Sequence, residues 1–378
     1  MIYLDYAANT PVDKRVLEAF DETTIKYFGN PNSTHKLGIE AKEVIDSSTN
    51  HILKTLQNEY KVDYDLDIIY TSGASESNNL AIKGVTRSYR ENGKHIITSS
   101  LEHSSVSGPL SNLKDQGYEV DVLNIGKDGK IDLDNFKELI RKDTILVSIC
   151  STDSELGTIQ PINEVSRILK EYPNCYFHVD ATQSIGKIDI DLSGVDLITI
   201  APHKFYGLNG FGALLKRKEI VLEPLIHGGV STSIYRSGTP VTGQVFAFDK
   251  ALEIALNEKE ERYNYVKRLN NLLIEELKKF EKVDINSIDD NNPFIINLGI
   301  KEVKATTFKE ELEKYDVCVS IKSACSVTST PSRSVMAIYK DKKRAFSSFR
   351  ISISHLTTEE EIGEFLNIFK ECYSKFEE

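Results

Sequence analysis

Between residues 67 and 215 the chain alternates short apolar runs with longer amphipathic stretches, and few folds accommodate that rhythm. Runs at 67–70, 95–98, 118–123, 144–149, 176–179, 197–201 and 212–215 have the length and the β-branched or aromatic content of strands. Helical patterns at 39–60, 76–92, 105–116, 133–141 and 162–171 precede or separate most of them. This order predicts an α/β fold whose core is a mainly parallel seven-stranded sheet with helices on both faces. The Gly-rich stretch 207–212 replaces a crossover helix by a short turn. A long helical segment at 244–280 then leads to a region of different character: a strand at 294–299, a helix at 305–315 and strands at 317–321 and 348–354. A last helix is predicted to begin at Thr357 with a Thr-x-x-Glu capping box. The expected division is a large domain over 12–250 and a smaller α+β domain built from 1–11 and 251–378. A hydrophobic content of 40% in 378 residues supports two such cores. No internal repeat or low-complexity linker separates them, so they are expected to share an interface.

Charge and cysteine usage remove several classes of function. The formal net charge is -11 with no basic block, which argues against direct nucleic-acid binding, because phosphate affinity needs clustered Lys and Arg. No stretch approaches the roughly 18 consecutive apolar residues of a membrane span. The start, MIYLDYAANTPVD, lacks the charged and apolar regions of a signal peptide, so a cytoplasmic location without membrane association is expected. Five cysteines, at 150, 175, 318, 325 and 372, are odd in number and form no C-x-x-C pair. A disulfide framework and a zinc site are therefore not expected, and no metal is assigned.

Two of the strand-like runs end in reactive residues. Residues 176–179 deliver Asp180, with Gln183 three positions on, and 197–201 deliver His203 and Lys204 before the glycines. Ligands in open α/β sheets bind beyond the carboxyl ends of strands, so both sets can share one crevice. A buried carboxylate and a lysine amine are what a pyridoxal phosphate site requires: the amine links covalently to the cofactor, and the acid keeps the ring nitrogen protonated. Taken singly, such an Asp is more often a turn or cap residue, and such a Lys a solvated loop charge. Their spacing on successive strand ends favours the shared site.

Three further segments fit the same chemistry. Thr71-Ser72-Gly73-Ala74-Ser75-Glu76 follows a strand and opens a helix, which suits either an anion cup or a plain helix start. His103 lies just past the run at 95–98, where an imidazole suits stacking on an aromatic cofactor and proton transfer, or simply a surface loop. After Ser320 the composition changes abruptly to Ser, Thr and Pro, marking a loop that carries Cys325 between Lys322 and Arg333. Positive neighbours lower a thiol's pKa and raise its thiolate fraction, although an inert loop thiol has the same composition. Cys318, alternating within a strand, reads as a small core residue. Arg350 alternates with Phe349, Ile351 and Ile353, so it faces away from their buried side, ready to hold a substrate carboxylate or to form a surface salt bridge.

In this order the segments resemble the cysteine desulfurases within the class V aminotransferase group. The resemblance spans nearly the whole chain: YLDYAANTPVD, FGNPNSTH, TSGASESNNLAIKG, HIITSSLEHSSV, ELGTIQPI, FHVDATQSIGK, HKFYG, EPLIHGG, YRSGTP, SAC and FRISISHLTTEEE. It implies the aspartate-aminotransferase-like architecture, pyridoxal-phosphate fold type I. It also implies that Lys204 bears pyridoxal 5'-phosphate, Asp180 pairs with the ring nitrogen, Gln183 meets the phenolic oxygen and His103 stacks on the ring. Ala74, Ser75 and His203 would hold the phosphate, with Thr239 reaching in from the second subunit of a homodimer. Arg350 would bind the carboxylate of L-cysteine and Cys325 would accept its sulfur. Lys204 or His103 would return the proton that Lys204 removes. The products would be L-alanine and a Cys325 persulfide, passed to an iron–sulfur scaffold or a tRNA-thiolation enzyme.

The chain departs from the group's pattern at several places. Asp153-Ser154-Glu155 stands for Asn-Asn-Glu, which moves an amide contact near the cofactor onto Ser154. Ala201 stands for a phosphate-binding serine, Asn9 for a threonine and Lys322 for a glycine, and the loop after Cys325 lacks Leu-Glu-Pro. Selenocysteine lyase, cysteine sulfinate desulfinase and aminotransferase activities remain open alternatives, as does a catalytically impaired cofactor-binding scaffold that docks sulfur-transfer partners.

Overall fold

The first strand, β1 (Ile2–Tyr3), belongs to the C-terminal half of the molecule, where it pairs in parallel with β11 (Val317–Cys318). The structure, a computed structural model, describes residues 1–288, 290–322 and 330–377. Seven strands form the large sheet: β2 (Leu66–Thr71), β3 (His95–Ser99), β4 (Glu119–Leu123), β5 (Thr144–Cys150), β6 (Tyr176–Asp180), β7 (Leu197–Ile200) and β8 (Gly212–Arg217). Their order is β2-β8-β7-β6-β5-β3-β4. Only β8 runs against its neighbours in this sheet, because the turn before it is too short for a crossover. The central strands β3, β5 and β7 are buried along their whole length, as a sheet covered on both faces requires.

A second sheet, β12-β10-β9, joins β9 (Val283–Ile285), β10 (Ile295–Ile300) and β12 (Ser348–Ser352) in antiparallel register. It has its own apolar cluster, in which Ile2, Leu4, Phe308, Phe349 and Phe369 pack together. The large sheet is covered by separate clusters centred on residues such as Phe136, Phe177 and Phe248 on one side and Leu80, Val106 and Leu214 on the other.

Three expectations are corrected. The helical stretch 244–280 is two helices, Thr242–Asn257 and Lys259–Leu277, which turn at Glu258. Val245, Phe248 and Ala251 of the first pack on the large sheet, while Val266, Leu269 and Leu273 of the second pack on the small one. The last helix begins at Glu359, and its capping box is Thr358 with Glu361; Thr357 instead accepts from the backbone N–H of Ser354. The strand expected at 317–321 ends at Cys318, which is partly exposed and not a core residue. Beyond it Ser320 forms a bridge with Arg350, through Ser320 N–H to Arg350 O at 3.2 Å and Arg350 N–H to Ser320 O at 2.6 Å.

Candidate active site

Because β2, β3, β5, β6 and β7 run in the same direction, the residues after their carboxyl ends converge on one side of the sheet. A cavity of ≈ 330 Å³ lies there. Its lining comes from all five ends: Ser72–Glu76, His103, Thr152 and Ser154, Asp180 to Gln183, and His203 and Lys204. Ala7 and Ala8 close it from the N-terminal segment, and Arg350 from the small sheet.

Lys204 ends a single turn of 3-10 helix, Pro202–Lys204, after β7. Its Nζ donates to the carbonyls of Ala7 at 2.8 Å and Ala8 at 2.6 Å. Asp180, the last residue of β6, is buried; its Oδ1 accepts from Thr182 N–H at 3.1 Å and its Oδ2 from Asn78 Nδ2 at 2.8 Å. Gln183 donates from Nε2 to the same Ala7 carbonyl at 3.0 Å, and its Oε1 accepts from Lys187 Nζ at 3.1 Å. Lys187 is itself buried, and desolvation, with Lys204 and Arg350 adding repulsion, lowers its pKa to about 7. Lys204 and Arg350 in the lining make the cavity favourable to anions.

The helix Ala74–Ser88 opens onto the cavity with no side chain capping its start. Its N-cap Gly73 has φ 149°, outside the range that side chains adopt readily, and a Cβ on Gly212 would stand 2.6 Å from the Gly73 Cα. The turn thus brings two backbones together and leaves helix N–H groups facing the cavity, an arrangement that suits an anion. Glu76 stays ionised beside it, held down by the backbone N–H of Ser72 and the guanidinium of Arg236 against the cost of burial.

His103 is the N-cap of helix Ser104–Asp115, and its Nδ1 accepts from Ser105 N–H at 3.2 Å. Burial lowers its pKa, so the ring is neutral at pH 7. Burial, with Lys204 and Lys187 nearby, lowers His203 to about 4. Arg350 is 1% exposed and donates from Nη1 to the Ser154 carbonyl at 2.8 Å and from Nη2 to Asp5 Oδ1 at 2.7 Å. Its Nε is buried without a partner among the described residues. The face of β12 opposite Phe349 and Ile351 is therefore not a solvent face: it closes the cavity.

Ala74, Ser75, His103, Ser154, Asp180, Gln183, His203, Lys204 and Arg350 all line the one cavity. Ala201 is buried behind it, where its carbonyl accepts from Lys204 N–H at 3.2 Å. Thr239 lines a neighbouring cavity with Arg236 and Gly238, which meets the first at Ser72. Cys325 lies outside the described residues. Lys322, expected to sit beside it, is buried and donates to the carbonyl of Thr330 and to its Oγ1.

Several cavity residues carried no signal in the sequence. Ala7 and Ala8 contribute only carbonyls. Asn78, just behind the lining, sits one turn inside a helix, and Asp5 is brought to Arg350 by a parallel bridge to Ser352. Cys150 also reaches the cavity, yet burial, with Glu102 nearby, pushes its thiol well above the ordinary value and keeps it protonated. Among the described residues no group of three or more His, Cys, Asp or Glu could hold a metal ion.

A model of the family described as aminotransferase class-V matches residues 2–365. Among curated proteins, cysteine desulfurase IscS of Dictyoglomus turgidum is 39% identical over 379 residues, covering 99% of this chain and 95% of its own length. A solved structure titled NIFS-like protein superposes with a TM-score of 0.90 at 31% identity, covering 99% of each chain. A second, titled SspA in complex with cysteine, gives a TM-score of 0.79 at 32% identity over 95% of this chain and 100% of its own.

Proposed function

Because this chain belongs to the class V aminotransferase family and is a pyridoxal-phosphate-dependent enzyme of the cysteine desulfurase kind, we propose that its cavity takes sulfur from L-cysteine, with Lys204 as the cofactor's anchor. One observation carries the assignment of residues: Lys204 and Asp180 line the same cavity as an uncapped helix start. The residues fit the cofactor. The Gly73–Ser75 turn offers N–H donors to a phosphate, Asp180 is oriented by two donors, and a volume of ≈ 330 Å³ falls at the low end of the about 300–1,000 Å³ of small-molecule pockets. When bound, pyridoxal phosphate supplies an electron sink that stabilises negative charge on the substrate's Cα.

The protein's part is to hold charges and move protons. The Asp180 carboxylate would face the ring nitrogen of the bound cofactor and favour its protonated form, as a nearby opposite charge does. Arg350 receives the substrate carboxylate through the face that leaves Nε unpartnered. Lys204, the cofactor's anchor in this reading, would remove the Cα proton and return it. The Cys325 thiolate attacks the substrate sulfur, the carbon–sulfur bond breaks, and alanine leaves. In sum, L-cysteine and the Cys325 thiol give L-alanine and a Cys325 persulfide, whose outer sulfur passes by thiol exchange to an iron–sulfur scaffold or a tRNA-thiolating enzyme.

The proposal extends to a homodimer in which Thr239 serves the partner's site. Phe28, Val230, Ile234 and Val241 are 73%, 75%, 63% and 47% exposed, and Asn32, which donates to Ser231 at 3.0 Å, joins the two segments that carry most of them. A cytoplasmic setting, which keeps Cys325 reduced between turnovers, is part of the reading. Among the described residues no helix is long and apolar enough to cross a membrane. The separate apolar clusters support two domains divided much as expected, 12–250 and 1–11 with 251–378, except that Ala251, Leu252, Ile254 and Ala255 still pack on the large sheet.

The test compares wild type with Lys204→Ala, Cys325→Ala and Cys150→Ala on L-cysteine, measuring alanine and reductant-releasable sulfide. Lys204→Ala is expected to lose both products and the covalent label from borohydride reduction. Cys325→Ala should lose the persulfide, and Cys150→Ala should keep it. A keto-acid product in wild type, or full sulfide release by Cys325→Ala, would sink the assignment.

A further inference from the structure

One buried amide touches two groups of the site at once. Asn78, on helix Ala74–Ser88, is shielded from solvent, and its Nδ2 donates to Asp180 Oδ2 and to Ser105 Oγ, each at 2.8 Å. Both protons of that amide are thereby used. Ser105 in turn places its Oγ 2.8 Å from His103 Nδ1, and its backbone N–H donates to the same nitrogen at 3.2 Å. An atom that accepts a backbone N–H presents its lone pair, so Nδ1 carries no proton. The Ser105 hydroxyl accepts from Asn78 and has its own proton free to give to Nδ1. Every link in the chain from Asp180 to His103 then has one direction.

We propose that Asn78 and Ser105 are positioning residues that lock His103 as the neutral imidazole with its proton on Nε2, making the ring a hydrogen-bond donor in the cavity that does not accept a proton from substrate. Nε2 already holds a proton and Nδ1 is turned away, so a proton from substrate has no vacant nitrogen to reach. Removal of the Cα proton then falls to Lys204. The charged groups facing His103 pull in different directions: Asp180 favours the imidazolium, while Lys204, Arg333 and Arg350 oppose it. Protonating Nδ1 would also break the bond from Ser105 N–H and turn the Ser105 hydroxyl around. The inference rests on His103 facing the cofactor, but its test reads the ring and not turnover.

Holoenzyme labelled with ¹⁵N-histidine answers the question by ¹H–¹⁵N correlation of the imidazoles, with His103→Gln assigning the signal. Wild type is expected to show an unprotonated Nδ1 and a protonated Nε2 at pH 8, unchanged at pH 6. Ser105→Ala should raise the imidazolium fraction at pH 6 by roughly five-fold, the equilibrium weight of one ordinary hydrogen bond. Ser105→Thr, which keeps the hydroxyl, should restore the wild-type spectrum. A proton on Nδ1 in wild type at pH 7, or a Ser105→Ala spectrum identical to wild type, overturns the proposal. Failure of the desulfurase reading would appear in the alanine and sulfide assays and leave these signals unmoved.

Discussion

Glu102 shows how the site alters an ordinary side chain. It precedes His103 and is fully buried; its Oε1 accepts from Ser99 Oγ at 2.6 Å and from Cys150 N–H at 2.9 Å, while Oε2 has no partner among the described residues. Burial first, and then Asp180, push its pKa up to about 8, so at pH 7 the folded protein holds a proton there that the unfolded chain has released. A folded pKa raised above the unfolded value means stability present at low pH and lost as pH climbs from about 4.5 to about 8. Glu102→Gln mimics the protonated acid and removes that dependence. Its melting temperature is expected to pull ahead of wild type as pH rises from 5 to 8, and a gap that stays constant would contradict this. At this scale the chemistry-bearing side chains stood out in the sequence: Lys204, Asp180 and His103 because they followed strand-like runs, and Arg350 because it alternated with apolar residues inside one. Asn78, Ser105, Lys187 and Asp5 did not, since a polar residue inside a helix or strand looks alike whether it faces water or a cavity.

At the scale of elements, strand positions were legible because a sheet buried on both faces needs continuous apolar runs bounded by polar turns. The expected 144–149 and the observed Thr144–Cys150 differ by one residue. The break at Glu258 was not legible. No Gly or Pro marks it in 244–280, and it exists because the two helices serve different sheets. Similarly, Thr357 and Thr358 both precede a Glu at the third position, and only the backbone path chooses between them. Thr358→Ala removes the hydroxyl that accepts from Glu361 N–H at 3.1 Å. It is expected to cost about 1 kcal/mol by denaturant unfolding, whereas Thr357→Val should spare that cap and weaken the turn at Ser354 instead.

For the molecule as a whole, the proposed pairing of two copies makes a distinct claim. If Val230 and Ile234 meet the partner as proposed, a charge introduced there would be desolvated without compensation. Val230→Asp with Ile234→Asp is therefore expected to shift the sedimentation coefficient from dimer to monomer and to lower cofactor retention on gel filtration. A double variant that stays dimeric and loaded would place the subunit contact elsewhere.

What the amino-acid order determined alone is the alternation of apolar runs with amphipathic helices, and with it a parallel sheet whose strand ends carry an acid and an amine. Local chemistry suffices for that, because burial sets the period of each element and the residues after a strand fall on a known edge. Only the tertiary structure decided that Arg350 is held by Asp5, that Ala7 and Ala8 seat Lys204, and that one amide joins Asp180 to the ring of His103. Those contacts link residues up to 345 positions apart, and their energy depends on the direction of each donor and lone pair, which is defined once the two sheets have met.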